Sequence, residues 1–465
     1  MTEWEAVVGL EIHVHLKTRT KMFCRCETGF GAEPNTRTCP VCLAHPGALP
    51  VANRTAVEWT IKLGLALGSE IAERAVFARK NYFYPDNPKG YQISQYDQPL
   101  CVGGRLAVPG SDPFEIGFVR AHLEEDAAKT VHVGGGTGRK VGAERSLIDF
   151  NRGGTPLVEI VTQPDIHSAE QAERFLQLLR QTIVSLGISE ARMEEGTLRV
   201  DANVSVRPAG SDELRTRWEL KNMNSFRYIG RGIDAAVRAQ IALYENGGEV
   251  EQHTYDYEPD TDTLTPHRTK EEADDYRYFP EPDLVPLEPE TALVERLREQ
   301  LPDLPADAIR ARSEALGVAD AWALVTTDRD PAYRGLVEGG VSEREAFNFA
   351  MNQPIPDDAN LQELAKVAKS AKELTREALD AAVAASADDG FTADEYLGRT
   401  AVSDTSELLP IVEAILAANP GQVEAYRGGK EGLLGFFVGQ VMKETGGKAN
   451  AKVVNELLRE KLGTP

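Results

Sequence analysis

Val7-Val8-Gly9-Leu10-Glu11-Ile12-His13-Val14-His15-Leu16 is the stretch on which the reading of this chain turns. Taken with period two, it sets Val8, Leu10, Ile12, Val14 and Leu16 on one face and Gly9, Glu11, His13 and His15 on the other. Successive side chains of a strand point to opposite sides, so the alternation predicts a half-buried β-strand. The apolar face needs only a core to pack against. A carboxylate and two imidazoles beside a glycine are an unusual choice for a solvated face, and such groups concentrate where something binds.

Three later segments repeat this pattern. In 198–207, Leu198, Val200, Ala202, Val204 and Val206 alternate with Arg199, Asp201, Asn203, Ser205 and Arg207. The run Glu219-Leu-Lys221-Asn222-Met-Asn-Ser-Phe226 puts Lys and Asn at a strand end, and 149–161 carries Arg152 and Glu159 into a further apolar run. Several strands with one apolar and one chemically mixed face predict an antiparallel sheet packed on one side, with the open side forming a concave site.

Between these strands lie the segments that carry chemistry. Cys24-Arg-Cys26 and Cys39-Pro-Val-Cys42 are two close cysteine pairs, which can bring four thiolates tetrahedrally onto zinc. Such a site is closed to substrate and therefore structural; reduced free thiols would be the plainer account. Residues 54–68 read as an amphipathic helix. Residues 79–97, dense in Pro, Gly, Asn and aromatic rings, read as an ordered loop rather than a regular element. Its basic groups beside rings would suit a nucleotide or an RNA 3′ end, and a packing loop would have the same composition. In Arg120-Ala-His122-Leu-Glu124-Glu125-Asp126, three consecutive acids call for a compensating cation, for which a hard divalent metal is the natural candidate. An exposed acidic turn would account for the same run. The glycine-rich stretch 134–140 lacks Walker spacing and reads as a flexible hairpin loop; the chain has no P-loop and no dinucleotide fingerprint.

At 465 residues the chain should divide into roughly three domains. It has no apolar run near the ~20 residues needed to span a bilayer, and an acidic start unlike a signal peptide. A soluble cytoplasmic protein without membrane association is the expectation. The net charge of −22 argues against a surface devoted to nucleic acid. From about residue 290 strand patterns yield to helical periodicity, as in 293–301, 305–316 and 361–386, with boundaries at 286–289 and 403–404. The final stretch is helical, interrupted at Gly428-Gly429 and Gly446-Gly447. From residue 421 its Arg427, Lys430, Lys443, Lys448, Lys452, Arg459 and Lys461 outnumber its acids, which points to a nucleic-acid contact as readily as to a mixed-charge helix surface.

Val8-Gly-Leu-Glu-Ile-His-Val-His-Leu16, Cys39-Pro-Val-Cys42, Arg79-Lys-Asn-Tyr-Phe-Tyr-Pro-Asp86, Pro88-Lys-Gly-Tyr-Gln-Ile-Ser-Gln95 and His122-Leu-Glu-Glu-Asp126 together strongly resemble the B-subunit (GatB) family of the aspartyl/glutamyl-tRNA(Asn/Gln) amidotransferases. So do Asp149-Phe-Asn-Arg152, Gly154-Thr-Pro-Leu-Val-Glu-Ile160, Glu219-Leu-Lys-Asn-Met-Asn-Ser-Phe226 and Asp275-Tyr-Arg-Tyr-Phe-Pro-Glu-Pro-Asp-Leu284. The resemblance resumes in Gly435-Phe-Phe-Val-Gly-Gln-Val-Met-Lys443, Gly447-Lys-Ala-Asn450 and Val454-Asn-Glu-Leu-Leu458. It weakens over 252–267 and 346–353, and the loop at 134–140 looks longer than is usual.

The resemblance implies an α+β fold: a cradle-like N-terminal domain with an antiparallel sheet (1–292), an all-α helical domain (293–404) and a small helical tail domain (405–465). It implies a kinase-like site that uses ATP and Mg2+ to phosphorylate the side-chain carboxylate of Glu or Asp mischarged on tRNA, followed by amidation with ammonia. Glu11, His13, Glu124 and Glu125 are then the expected magnesium ligands. Lys80 is the expected phosphate contact, with Lys221 behind it, and Arg79, Glu159, Asp201, Asn203 and Asn222 are supporting groups. Cys24, Cys26, Cys39 and Cys42 would hold structural zinc, and Arg427, Lys430, Lys443, Lys448 and Lys452 would meet tRNA. The chain carries no Ser-Ser-Lys amidase signature and no Cys-His glutaminase motif, so the resemblance also implies a heterotrimer with a glutaminase A subunit and a C subunit. A self-sufficient ATP-dependent ligase acting on a small amino acid, or a zinc-containing tRNA-binding module without catalysis, are the competing readings. The first predicts turnover stimulated by free amino acid, and the second predicts none.

Overall fold

A computed structural model of the chain describes residues 3–134, 142–269, 276–399 and 404–463. The chain forms two compact units, Met1–Arg310 and Ala311–Pro465.

The first unit is built on the opening strand, Trp4–His15. Val8, Leu10, Ile12 and Val14 are at most 1 % exposed, as the alternation requires, and burying each contributes about 1.5–3 kcal/mol. On one side the strand pairs antiparallel with Leu198–Pro208 and on the other with Pro156–Thr162, which in turn pairs with Phe114–Glu125. These four strands are the middle of a ten-stranded sheet. Trp218–Lys221, His253–Glu258 and Thr263–Thr269 extend it beyond Leu198–Pro208, and short strands at Cys101–Val102, Glu70–Ile71 and Arg105–Val108 complete the other end. Among the described residues the expected antiparallel pairing has one exception: Trp218–Lys221 and His253–Glu258 run parallel, joined through the helix Phe226–Glu245.

That helix and Ala169–Ser185 lie together over the apolar face. Each begins at a serine, Ser225 or Ser168, whose hydroxyl accepts the backbone N–H three residues on. Ala172, Phe175, Leu176 and Leu179, then Ile183, recur at helical spacing and are buried. With this face covered, the other is left open.

A second, three-stranded sheet joins Phe279–Pro280, Ala78–Asn81 and Tyr91–Ser94. This corrects the expectation of a loop across 79–97. The turn-forming residues are confined to the middle of that stretch, while its ends pair in register, Lys80 with Gln92 and Arg79 with Ile93. Strands Lys129–Val133 and Arg145–Asp149 pair as well; the hairpin loop expected at 134–140 falls on residues 135–140, outside the described residues.

The expected helices are present: Thr291–Glu299 in the first unit, Pro305–Leu316 across the boundary, and in the second unit 361–386, divided into Leu361–Lys369 and Arg376–Ala385. One buried cluster gathers Leu324, Leu336, Phe349, Leu364 and Val367, and another gathers Leu408, Val412, Phe437, Val441, Val454 and Leu458. The boundary expected at 403–404 touches residue 403, outside the described residues. Helices end at Arg427 and Glu444, ahead of the two glycine pairs, and Gly429, Gly446 and Gly447 take the positive φ that stops a helix. No helix among the described residues is long and apolar enough to cross a membrane.

Candidate active site

The open face of the large sheet carries a transverse row of charged and imidazole side chains. Arg199 lies opposite His13, His13 opposite Glu159, and Glu159 opposite His122, one residue on each of four neighbouring strands. Neighbouring strands are about 4.8 Å apart, so the row is continuous. His13 Nε2 stands 3.4 Å from Glu159 Oε2 and 4.0 Å from Glu124 Oε1. His122 Nε2 lies 3.7 Å and Arg120 Nη2 3.9 Å from the Glu159 carboxylate. Ser94 Oγ donates to Glu124 Oε2 at 3.1 Å. One ligand atom each from His13, Glu124 and Glu159 falls within 4.8 Å of the other two.

Burial pushes the His122 imidazole down to about 4, against the pull of Glu159, so this ring is neutral near pH 7. Burial and the neighbouring Glu159 raise the Glu124 carboxyl. Glu159 is held well below its usual range: burial works against its charge, but His122, His13 and Lys80 outweigh it. Burial would likewise depress Lys80, yet Tyr278, Glu124 and Glu159 hold its ammonium protonated. Its Nζ lies 4.8 Å from the centre of the Tyr276 ring. The second sheet thus delivers a cation to carboxylates on the first.

The structure turns apart the two adjacent glutamates that the resemblance gave as magnesium ligands. Consecutive residues of a strand face opposite ways, and Glu125 points away from the cluster. Its carboxylate pairs with Lys89 and accepts Ile93 N–H at 3.0 Å. Glu11 keeps the open face but sits one row along, accepting Asn203 Nδ2 at 2.9 Å. Glu159, expected only in support, takes the central place. Asp201 and Glu219 flank Lys221 at 2.5 and 3.3 Å, and these acids hold Lys221 protonated against the effect of burial. Arg79 is turned elsewhere, making two 2.8 Å bonds to Glu281 and lying on the Tyr91 ring. Asn222, at φ 60°, donates to Asp256.

Among the members of the site that sequence reading did not single out are His122, Arg199 and Asp126. Asp126 follows the strand Phe114–Glu125 and takes His15 Nε2 at 2.6 Å, Arg199 Nη2 at 3.1 Å and Arg152 Nε at 3.4 Å on one oxygen. His122 and Asp126 stood in the acidic run and Arg199 on an alternating face, but nothing in the sequence announced which strands are neighbours.

The four cysteines do converge, their sulfurs lying within 4.8 Å of one another. Cys39 Sγ and Cys42 Sγ are 3.9 Å apart, close to the ~3.8 Å edge of a tetrahedron with 2.3 Å Zn–S bonds. The Cys24 thiol, hydrogen-bonded to Cys42, holds Cys42 down at about 4 against burial, and the Lys21 ammonium assists. Lys21 Nζ reaches Cys42 Sγ at 3.6 Å and the Phe150 carbonyl at 3.0 Å. Four cysteine sulfurs at this spacing suit a metal ion. The knuckle rests on Gly154, at φ +88°, where an added Cβ would lie 3.8 Å from both Cys42 Cβ and Glu125 Oε2. It therefore backs onto the side of the sheet end away from the carboxylate cluster.

In the tail, Arg427, Lys430, Lys443, Lys448 and Lys452 are all exposed. Arg427 Nε donates to the Leu462 carbonyl at 3.0 Å, tying it to the end of the helix Ala451–Leu462. Lys452 lies 3.9 Å from Glu456.

Residues 6–295 match the family described as the GatB/GatE catalytic domain, and residues 347–462 match the GatB domain. The chain is 46% identical to the B subunit of the aspartyl/glutamyl-tRNA(Asn/Gln) amidotransferase of Moorella thermoacetica, over 99% of this chain and 100% of the relative. Proteins of the same name from Anaeromyxobacter dehalogenans and Halorhodospira halophila are each 47% identical, over at least 99% of both chains. His13, Lys80, Glu124, Glu159 and Arg199 all lie inside the first match, and the chain belongs to the GatB family.

Proposed function

We propose that this chain is the B subunit of a cytoplasmic tRNA-dependent amidotransferase. On this reading it phosphorylates the side-chain carboxylate of Glu-tRNA(Gln), Asp-tRNA(Asn) or both, then amidates it with ammonia from a glutaminase A subunit, a C subunit completing the heterotrimer. The observation that carries the reading is the convergence of His13, Glu124 and Glu159 with Lys80 on the open side of a sheet whose other side is packed.

A free carboxylate is a poor acyl donor and an acyl phosphate a good one. The substrate carboxylate oxygen attacks the γ-phosphorus of ATP and ADP departs. Ammonia then attacks the acyl carbon, phosphate leaves, and the nitrogen gives up a proton. His13, Glu124 and Glu159 would hold Mg2+, with Glu11 one row away; two carboxylates within 4.8 Å of each other and of an imidazole are a donor set that fits a divalent cation. When bound, the ion neutralises the triphosphate and orients in-line attack. Lys80, kept protonated in a buried position, supplies positive charge to phosphate oxygens beside the rings of Tyr276 and Tyr278. Neutral His122 and Arg120 fix the orientation of Glu159. Lys221, Asp201 and Asn203 form a second polar group along the same face, suited to the ribose or the aminoacyl end. Arg79, locked to Glu281, and Asn222, bonded to Asp256, support the walls. Cys24, Cys26, Cys39 and Cys42 hold structural zinc, and Lys430, Lys443, Lys448 and Lys452 meet tRNA phosphates, with Arg427 bracing their helices. Residues 1–292 serve as the cradle, 293–404 as the helical domain and 405–465 as the tail.

The test is ATP hydrolysis by the assembled three-subunit complex, with and without mischarged tRNA, comparing wild type with Glu124→Gln. The expected result is stimulation by the aminoacyl-tRNA that the substitution lowers by at least ~100-fold, while glutaminase activity of the A subunit survives. Persistence of stimulated turnover in Glu124→Gln would remove the reaction from this cluster. Equal stimulation by free Glu would favour a self-sufficient ligase.

A further inference from the structure

We propose that Arg199 is a catalytic residue of the phosphorylation step, binding the oxygens of the phosphoryl group in transfer, and that Asp126 is the positioning residue that aims it. The inference rests on the functional reading above and assigns a role to a side chain which that reading leaves unused.

The geometry begins with the row. Arg199 is the residue directly across from His13, and His13 is directly across from Glu159. One strand spacing, about 4.8 Å, therefore separates the guanidinium's strand from the strand that bears His13. A phosphoryl group facing a cation held by His13, Glu124 and Glu159 would extend its oxygens towards the Arg199 end of the row.

Glu124 and Glu159 sit together at the centre. At the other end Asp126 is a single buried carboxylate facing Arg199, Arg152 and His15. Glu124 and Asp201 also act on Arg199, and Asp86 on Arg152, so the two guanidinium groups share several acids, of which Asp126 alone bonds both. Asp126 Oδ1 is already taken by Ala127 N–H at 2.9 Å, and His15, Arg152 and Arg199 share Oδ2. Asp126 therefore fixes the guanidinium without satisfying it.

Arg199 shows the consequence. Only its Nη2 is committed to Asp126, at 3.1 Å, while its side chain remains 40% exposed. Its Nε is buried and has no hydrogen-bond partner among the described residues. A guanidinium held at one corner by a buried carboxylate, with donors left over beside a cluster suited to a divalent cation, is pre-aimed for an oxyanion with several oxygens. The phosphoryl group in transfer presents three such oxygens and carries its greatest charge there. The substrate carboxylate presents two, and one of them is the nucleophile. The phosphoryl group is thus the better partner.

The experiment uses the assembled complex with two readouts. The first is tRNA-stimulated ATP turnover. The second is the affinity of AMP-PNP relative to ADP, measured by titration without tRNA. In Arg199→Gln, kcat should fall by about 10³-fold, the scale of an arginine acting on a transferring phosphoryl group. The KM for aminoacyl-tRNA should stay near the wild-type value, and the preference for AMP-PNP over ADP should be lost. Added guanidinium ion should restore part of the turnover. Arg199→Lys should remain deeply impaired, because a point charge does not replace the fork. Asp126→Asn should lower kcat less, and guanidinium should not restore it, since the arginine is still present. Arg199→Gln that keeps kcat within about tenfold of wild type and retains the AMP-PNP preference overturns the proposal. So does a raised KM for aminoacyl-tRNA with the nucleotide preference intact, which would make Arg199 a ligand of the substrate carboxylate. A wild-type complex that prefers AMP-PNP but shows no tRNA-stimulated turnover would instead sink the functional reading, and Arg199 with it.

Discussion

The molecule gathers ligand-type side chains in two places, and the two are built on opposite principles. The cysteine knuckle draws its four sulfurs from residues 24–42, a short piece of chain folded on itself. The carboxylate cluster draws His13, Glu124 and Glu159 from three strands far apart in the chain. Four soft thiolates at tetrahedral spacing form a closed shell that can hold zinc and admit nothing else. Two carboxylates and an imidazole on an open sheet leave sides free for a substrate. The lesson is that a local cluster stabilises, whereas a cluster spread over several strands can be open, because the rigid sheet carries the cost of holding like charges together.

The sharpest way to break this contrast is to remove the central acid. Glu159→Gln should lower tRNA-stimulated ATP turnover by about 10³-fold, near 4 kcal/mol in the barrier, with the thermal unfolding midpoint almost unmoved. A protein that instead loses its fold would show the cluster to be structural, like the knuckle.

Next comes the neighbour on the other face. Glu125→Ala leaves Lys89 without its buried partner, and removing one member of such a pair costs about 3 kcal/mol. The expected signature is a clear drop in the unfolding midpoint, with ATP turnover changed by less than about tenfold. A turnover loss matching that of Glu159→Gln would put both acids in one site despite their opposite faces.

For the knuckle, Cys42→Ser should weaken zinc by at least ~100-fold, read as loss of the metal in native mass spectrometry. The His13, Glu124 and Glu159 geometry should survive, so that AMP-PNP binding persists in the zinc-depleted complex. Abolished nucleotide binding would mean that the two clusters are not independent. The smallest effect belongs to the tail: Lys448→Ala should weaken tRNA binding only severalfold and reduce the salt slope by about one. An unchanged slope would remove Lys448 from the tRNA contact.

Much of this is legible in the residues alone. The alternation in 7–16 predicts the opening strand and its buried face, and the spacing of the cysteines predicts their convergence, because both are governed by short-range geometry. The strands at Ala78–Asn81 and Tyr91–Ser94 escape such a reading because Pro85, Asn87, Pro88 and Gly90 in the turn dominate the composition of the whole stretch. Glu124 and Glu125 group together in sequence because a run of acids looks like one charge cluster, yet the pleat sends them to opposite sides.

The sequence by itself thus determined which residues alternate, which face of each strand is apolar, and that four thiols lie close. These follow from backbone periodicity and loop length, which need no knowledge of distant partners. Only the tertiary structure decided that Arg199, His13, Glu159 and His122 share one row, that Lys80 arrives from a second sheet, and that Asp126 collects His15, Arg152 and Arg199. Strand order and register are set by the packing of the whole apolar face against its two helices, and no local pattern encodes which strand becomes whose neighbour.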